Sequence, residues 1–291
     1  MAGVRVVTDS ACDLSEELAG RYGIDVVPLT IRFGDEELLD RRDLSPAEFW
    51  RRCRESASLP ETSAPPPGAF RAAYEHAAAS GADGVLCLTL SAGVSATYQA
   101  ALAGAADFAE QLPVVVVDTR SLTMGQGLMC IATAELAATG ASLDQAVALA
   151  HDLVDRTRVL GVVGTLDHLQ RGGRIGGAAA LVGSLLSIKP VIEVRDGVVE
   201  QESRQRTRGR ALDYLIAKIA ADAPLERLAV CDGAAPDIDA VVERLRPVEV
   251  DHELVVTDLG PVVGTHSGPG SIAVCYQPRA ARRPPPVGSR P

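Results

Sequence analysis

Gly84-Val-Leu-Cys-Leu-Thr-Leu-Ser-Ala-Gly-Val-Ser-Ala-Thr97 is the stretch that decides the fold. Val85–Leu90 is a short, unbroken apolar run, the pattern of a strand covered on both faces. Ser91-Ala-Gly-Val-Ser-Ala-Thr97 then turns the chain, and Ala96–Leu112 has helical spacing and composition. Val114–Asp118 follows as a second buried strand. Strand, helix and strand in this order point to α/β architecture with a largely parallel sheet.

The pattern extends in both directions. Upstream, Val4–Thr8 reads as a first strand and Ile24–Ile31 as a second, with a short helix around Leu14–Tyr22. Downstream, Met124–Ala138 and Leu143–Thr157 read as helices. A second series begins near Leu160, with strands Leu160–Thr165, Lys189–Val194, Val198–Ser203, Arg227–Cys231, Glu253–Asp258 and Ser271–Tyr276. Asp196-Gly197 between two β-rich runs is a hairpin signal, and helices around Arg208–Ala221 and Asp237–Leu245 intervene. The two series predict two domains, 1–158 and 159–277. Residues 278–291, with five prolines and four arginines, read as a disordered tail.

Composition narrows the classes. Of 291 residues, 47% are hydrophobic but only 3% aromatic, so the interior is built mainly from Ala, Val and Leu. A net charge of −10 excludes nucleic acid as the principal partner, because phosphate binding needs a clustered positive surface. No apolar stretch reaches the roughly 18 residues of a membrane span, and the N-terminus has no basic region leading into an apolar run. A cytoplasmic protein without stable membrane insertion is expected. The six cysteines form no C-x-x-C pair and read as buried thiols, not as a disulfide framework or zinc site. No Walker motif, G-x-G-x-x-G loop or H-E-x-x-H occurs, so neither cofactor nor metal is expected.

Several constellations could carry chemistry. Gly264-Thr-His-Ser-Gly-Pro-Gly270 packs three glycines and a proline into seven residues. It reads as a fixed turn holding His266 and the hydroxyls of Thr265 and Ser267, or as a hairpin turn with an incidental histidine. Glu61-Thr-Ser-Ala-Pro-Pro-Pro-Gly68 is a proline-stiffened loop before a helix from Ala69. Thr62 and Ser63 either cap that helix or are presented to a ligand at little entropic cost. Ser91 ends a strand at a helix N-terminus, where open α/β sheets bind ligands and free N–H groups favour an anion. Ser91 and Ser95 are equally candidate caps, and each carries half of a nucleophile elbow, so a hydrolase using either with His266 is a second reading. Asp9 and Asp13 lie at another strand-to-helix junction, where a structural role is favoured over a metal or phosphoryl site. Arg171-Gly-Gly-Arg174 is a basic turn suited to a carboxylate, a phosphate or a partner.

In register, these blocks resemble the DegV family, the fatty-acid-binding proteins that serve bacterial fatty acid kinase. The resemblance runs through Thr8-Asp-Ser-Ala-Cys-Asp-Leu14, Ile24–Leu29, Thr62-Ser-Ala-Pro65, Thr89–Gln99 and Val117-Asp-Thr119. It continues through Leu169-Gln-Arg-Gly-Gly-Arg-Ile175, Leu186–Val191 and Gly260–Gly270, to about residue 277. It implies an α/β/α three-layer domain with a parallel sheet, followed by a two-layer α/β domain with a mixed sheet. It also implies a non-catalytic lipid-binding subunit, with no catalytic residue of its own and a place in phospholipid metabolism. A long-chain fatty acid would lie in a buried tunnel. Its carboxylate would be held by Thr62, Ser91 and His266, with Ser63, Gly93 and Thr265 beside them. A separate kinase catalytic subunit would phosphorylate that carboxylate, with Arg171 and Arg174 near the mouth as partner or phosphate contacts. Burying a 16-carbon chain transfers about 15 methylene-sized groups at ~0.8 kcal/mol each, roughly 12 kcal/mol before ordering costs. The alternatives are a lipid esterase using Ser91 or Ser95 with His266, and a carrier of another apolar carboxylate such as an isoprenoid acid or retinoid.

Overall fold

The computed structural model describes residues 3–56, 58–106, 108, 111–181 and 188–280. Residues 281–291 of the Pro/Arg-rich segment, and Leu186 and Ser187 of the Leu186–Val191 block, lie outside the described residues. In chain order the first strands are β1 (Val4–Asp9), β2 (Asp25–Val27), β3 (Thr30–Phe33), β4 (Glu36–Leu39), β5 (Glu61–Ser63), β6 (Gly84–Thr89) and β7 (Val114–Asp118). With them come helices α1 (Glu16–Tyr22), α2 (Pro46–Glu55), α3 (Pro67–Ala79), α4 (Thr97–Ala106), α5 (Thr123–Ala138) and α6 (Leu143–Arg156). The rest of the chain supplies strands β8 (Arg158–Val162), β9 (Lys189–Arg195), β10 (Val198–Gln205), β11 (Leu225–Gly233), β12 (Val255–Asp258) and β13 (Ser271–Pro278). Its helices are α7 (Asp167–Arg171), α8 (Arg208–Ala221), α9 (Ile238–Leu245) and α10 (Pro261–Ser267).

Strands β2-β1-β6-β7 form a wholly parallel sheet. Every residue of β6 is buried, as its unbroken apolar run requires. Strands β10-β9-β8-β13-β11-β12 form a mixed sheet, antiparallel except for the β11–β12 pair. Helices α3 and α4 cover one face of the parallel sheet through Phe70, Tyr74 and Ala101. Helices α8 and α9 cover the outer face of the mixed sheet through Leu215, Ile219, Val241 and Leu245. The fold is therefore α/β, with a parallel and a mixed sheet in the two-domain arrangement.

Helix α5 lies between the two sheets. It is apolar around nearly its whole circumference, and thirteen of its sixteen residues are buried. One hydrophobic cluster runs through it, from Val6, Leu86 and Leu88 of the parallel sheet to Val159, Ala229, Ala273 and Cys275 of the mixed sheet. The two halves are thus joined by a continuous core, which fixes the seam where the candidate site lies. Among the described residues no helix is long and apolar enough to cross a membrane.

The expected single strand Ile24–Ile31 is two strands in different sheets. Pro28 interrupts it because proline has no N–H to donate, and the Leu29 N–H is taken by Ser10 Oγ at 3.0 Å. Strand β2 stays in the parallel sheet, while β3 enters a small antiparallel sheet ordered β4-β3-β5. That small sheet carries Thr62.

Candidate functional site

Thr62 sits in strand β5, paired with Ile31 of β3, so the segment expected as a loop is extended and hydrogen-bonded. Strand alternation sends Thr62 inward and leaves Ser63 exposed on the opposite face. Neither caps the following helix: the N-cap of α3 is Pro66, with no side-chain cap bond. The Thr62 Oγ1 atom instead lies 3.0 Å from Nε2 of His266, a contact across 204 residues of sequence.

The glycine-rich block expected as a fixed turn is helical over Pro261–Ser267, and the turn begins only at Gly268, where φ is 77°. Proline in the first turn starts the helix without loss, since its missing N–H would have no intrahelical acceptor. Gly264 is required by packing. A Cβ there would come 2.7 Å from Phe49 Cε1 and 2.9 Å from the Trp50 ring. The Thr265 hydroxyl donates back to the Pro261 carbonyl at 2.8 Å and so is spent within the helix. His266 falls in the last turn, and His168 of α7 lies alongside, its Nδ1 3.2 Å from the Thr265 carbonyl.

Thr62 and His266 share a largely apolar cavity of about 180 Å³ between the two sheets. Its walls include Leu29, Leu90, Val94 and Leu122 from one half and Val159, Val163, Ile192, Val199, Val262 and Ile272 from the other, with no Phe, Tyr or Trp among the described lining residues. Polar groups reach it from Thr62, Ser95, Arg174, Glu193, His266, Ser267 and Ser271, with the Glu193 carboxylate paired to Arg195. A second, polar cavity of about 330 Å³ shares Thr62, Arg174 and His266 and adds Glu61, His168 and Arg171. The two cavities meet at these three shared residues, so the apolar space has a cationic mouth.

Burial, with Arg174 and His168 adding positive charge, holds the His266 imidazole down to about 4, from an ordinary 6.5. The ring is neutral near pH 7, and its Nδ1 has no hydrogen-bond partner among the described residues. Arg174 itself spans the seam, donating from Nε to the Val94 carbonyl at 3.1 Å and from Nη1 to the Gly172 carbonyl at 2.6 Å. An anion placed against Thr62 and His266 meets a hydroxyl, an imidazole and a guanidinium charge at one end of an aliphatic chamber.

Ser91 does not line the cavity. Its buried hydroxyl donates to the Gly197 carbonyl at 2.6 Å and accepts from the Gly93 N–H at 3.1 Å. Both residues therefore serve the seam, seating the Asp196-Gly197 hairpin tip of the second half on the Ser91–Thr97 turn of the first. Ser95 does line the cavity, and its hydroxyl accepts from the Thr97 N–H at 3.3 Å at the start of α4. Ser91 is not joined to His266 as a hydrolase pair would be: Ser91 is bonded to Gly197, Nε2 of His266 to Thr62, and among the described residues no carboxylate bonds the ring. Of the residues expected at the carboxylate, the fold brings Thr62 and His266 together. Ser63, Ser91, Gly93 and Thr265 do not reach the apolar cavity, whereas Arg174 reaches both cavities and Arg171 the polar one.

Asp9 is structural. Buried between strand ends, it accepts the N–H groups of Ala11 and Leu90 at 3.0 and 2.8 Å, and burial pushes its carboxyl up to about 7. All six cysteines are free thiols, five of them buried. Among the described residues, no three His, Cys, Asp or Glu groups are arranged to hold a metal.

With that geometry in place, likeness to other proteins is informative. The DegV family model, described as an uncharacterised protein family, matches residues 3–279. A DegV domain-containing protein of Streptomyces coelicolor is 38% identical over 281 residues, covering 95% of this chain and 99% of the relative. The solved structure of a DegV family protein from Thermus thermophilus, described by its fatty acid binding, superposes with a TM-score of 0.85 at 34% identity, covering 94% of this chain and 99% of that one. DegV of Bacillus subtilis, described as a fatty acid binding protein, superposes with a TM-score of 0.85 at 28% identity, covering 96% and 100%. The chain belongs to the DegV family.

Proposed function

We propose that this protein binds a long-chain fatty acid in the apolar cavity, with the carboxylate held at Thr62 and His266. It then presents that carboxylate to a separate ATP-dependent fatty acid kinase for acyl-phosphate formation. The observation that carries the reading is the join of the two cavities. A chamber walled by aliphatic side chains, without Phe, Tyr or Trp among its described residues, ends at a hydroxyl–imidazole pair beside a guanidinium. Such a space suits a flexible hydrocarbon with an acidic head, because the chain gains by desolvation and the head keeps its donors. The fatty-acid-binding relatives from Thermus and Bacillus support the same ligand class. Presentation to a kinase draws its support from the polar cavity, where Arg171 and Arg174 offer forked donors for a phosphate at the carboxylate end. In this reading the chain supplies no nucleophile and no cofactor.

Trp50 is the only tryptophan, and it packs against α10, whose residues Val262, Val263 and His266 line the cavity. Titrating delipidated protein with palmitate should therefore change Trp50 fluorescence saturably, at one ligand per chain. No change, together with no retention of radiolabelled palmitate, removes the binding reading. Presentation is tested by adding a purified fatty acid kinase catalytic subunit and ATP, then trapping the product with hydroxylamine. Acyl hydroxamate should form only when the loaded protein is present; equal yield from free palmitate contradicts the presenting role.

A further inference from the structure

Asp13 lies outside both cavities, yet its side chain joins elements from both halves of the molecule. Oδ1 accepts the Gly260 N–H at 3.0 Å and lies 3.4 Å from Nη2 of Arg41. Oδ2 accepts the Thr123 hydroxyl at 2.6 Å, and the Asp13 backbone carbonyl accepts the Thr257 hydroxyl at 3.1 Å. These partners belong to the start of α10, the segment before α2, the first turn of α5, and β12. The carboxylate is wholly buried, and its bonds to Gly260 and Thr123 form away from water.

The backbone around it is strained. Asp13, Arg41 and Thr123 have φ values of 54°, 64° and 48°, a left-handed region that non-glycine residues avoid and a β-branched threonine most of all. Such conformations persist only where surrounding contacts over-determine them, and they gather where geometry serves function. Here three of them converge on one carboxylate. The fit at its far end is equally tight, since a Cβ on Gly260 would lie 2.5 Å from Asp13 Oδ1.

Gly260 is the N-cap of α10, and His266 lies in the last turn of the same helix. We infer that Asp13 is a positioning residue for the carboxylate site: by clasping the start of α10 it holds His266 opposite Thr62. The Trp50 Nε1–H adds a second tie one residue earlier, donating to the Leu259 carbonyl at 3.1 Å. Between them they set the helix that contributes Val262, Val263 and His266 to the cavity wall. Without the clasp, the ring separates from Thr62 and the carboxylate loses its paired donors. This inference rests on the proposed use of that pair to hold a fatty acid.

The test uses the full chain with Asp13→Asn and, independently, Gly260→Ala, which strains the same contact from the other side. Two quantities are read: the NMR titration of His266, which needs no ligand, and the rate of palmitate release. The charged and titratable groups around that ring, Arg174 and His168 with Glu61 and Arg171 of the polar cavity, are unchanged in both variants. In each variant His266 should titrate closer to its ordinary value than in the parent, and palmitate should leave about tenfold faster, the loss expected for one charge-assisted hydrogen bond. Combining Asp13→Asn with Thr62→Val should cost less than the two losses multiplied together, because both act on one contact. A lower melting temperature with unchanged His266 titration and unchanged release makes Asp13 a merely structural residue and overturns the inference. If Asp13→Asn does not fold, Gly260→Ala decides by the same readouts. If the parent protein takes up no palmitate, the fatty-acid reading fails, while the titration still decides for or against the clasp.

Discussion

Replacing His266 with Gln should change how stability depends on pH, by an amount the structure fixes. Burial, with Arg174 and His168 nearby, holds the folded-state imidazole at about 4, against 6.5 ordinarily. The unfolded chain therefore takes up a proton that the folded protein refuses. The stability this group contributes is complete above the unfolded value of 6.5 and is lost as pH falls through about 4. At about 1.4 kcal/mol for each tenfold change in proton affinity, the loss is roughly 3 kcal/mol. Glutamine keeps comparable bulk and can still bond Thr62 but does not titrate. Other groups run the opposite way. Burial pushes Asp9 and Asp13 up to about 7, so their contribution is complete in acid and is lost as pH rises through that value. Both aspartates are common to the two proteins and cancel in the comparison. Urea unfolding of the parent and of His266→Gln from pH 7 down to 4 gives the difference directly. The parent should lose roughly 3 kcal/mol more than the variant over that range. Parallel curves would refute the claim that His266 is buried and neutral beside Arg174 and His168.

Thr62→Val removes the hydroxyl with little change of shape. It should weaken palmitate binding about tenfold with only a small change in melting temperature, as for loss of one hydrogen bond to a charged group; unchanged affinity in a fluorescence titration removes Thr62 from the site. Ser91→Ala should cost about 1–3 kcal/mol of stability, because the buried Gly197 carbonyl loses its donor. Intact stability with reduced affinity would instead place Ser91 at the ligand. Across saturated acids, each added methylene should tighten binding about fourfold, from ~0.8 kcal/mol per buried group, until the chamber is full. A flat series in competition assays would contradict an acyl chain in the cavity. Arg171→Ala should leave palmitate affinity unchanged while lowering acyl hydroxamate yield with the kinase, since Arg171 lines only the polar cavity; reduced affinity with unaltered yield reverses its assignment.

The strand–turn–helix around Val85–Leu90 was legible because burial on both faces leaves an apolar run that no other element interrupts. The small sheet that carries Thr62 was not. Its strands are only three or four residues long, and β5 owes its extended form to pairing with distant Thr30, Ile31 and Arg32, not to its own pattern. Helix α10 was hidden for a related reason. Gly264 looks like a helix breaker locally and is explained only by the approach of Phe49 and Trp50. The His266–Thr62 pairing could be anticipated only through family resemblance, since 204 residues separate the two and spacing says nothing about the seam. Ser91 shows the limit of a motif. A hydroxyl at the end of a strand is visible in the sequence, but which partner it takes depends on a hairpin more than a hundred residues away.

The central claim is that the seam holds a fatty acid, and native purification followed by organic extraction and mass spectrometry of the bound lipid tests it most directly. The account predicts one fatty acid per chain, lost or much reduced in the Thr62→Val/His266→Gln double variant. An isoprenoid or retinoid acid in its place would keep the site and change the ligand class. A protein that emerges empty and takes up no added fatty acid would contradict the account.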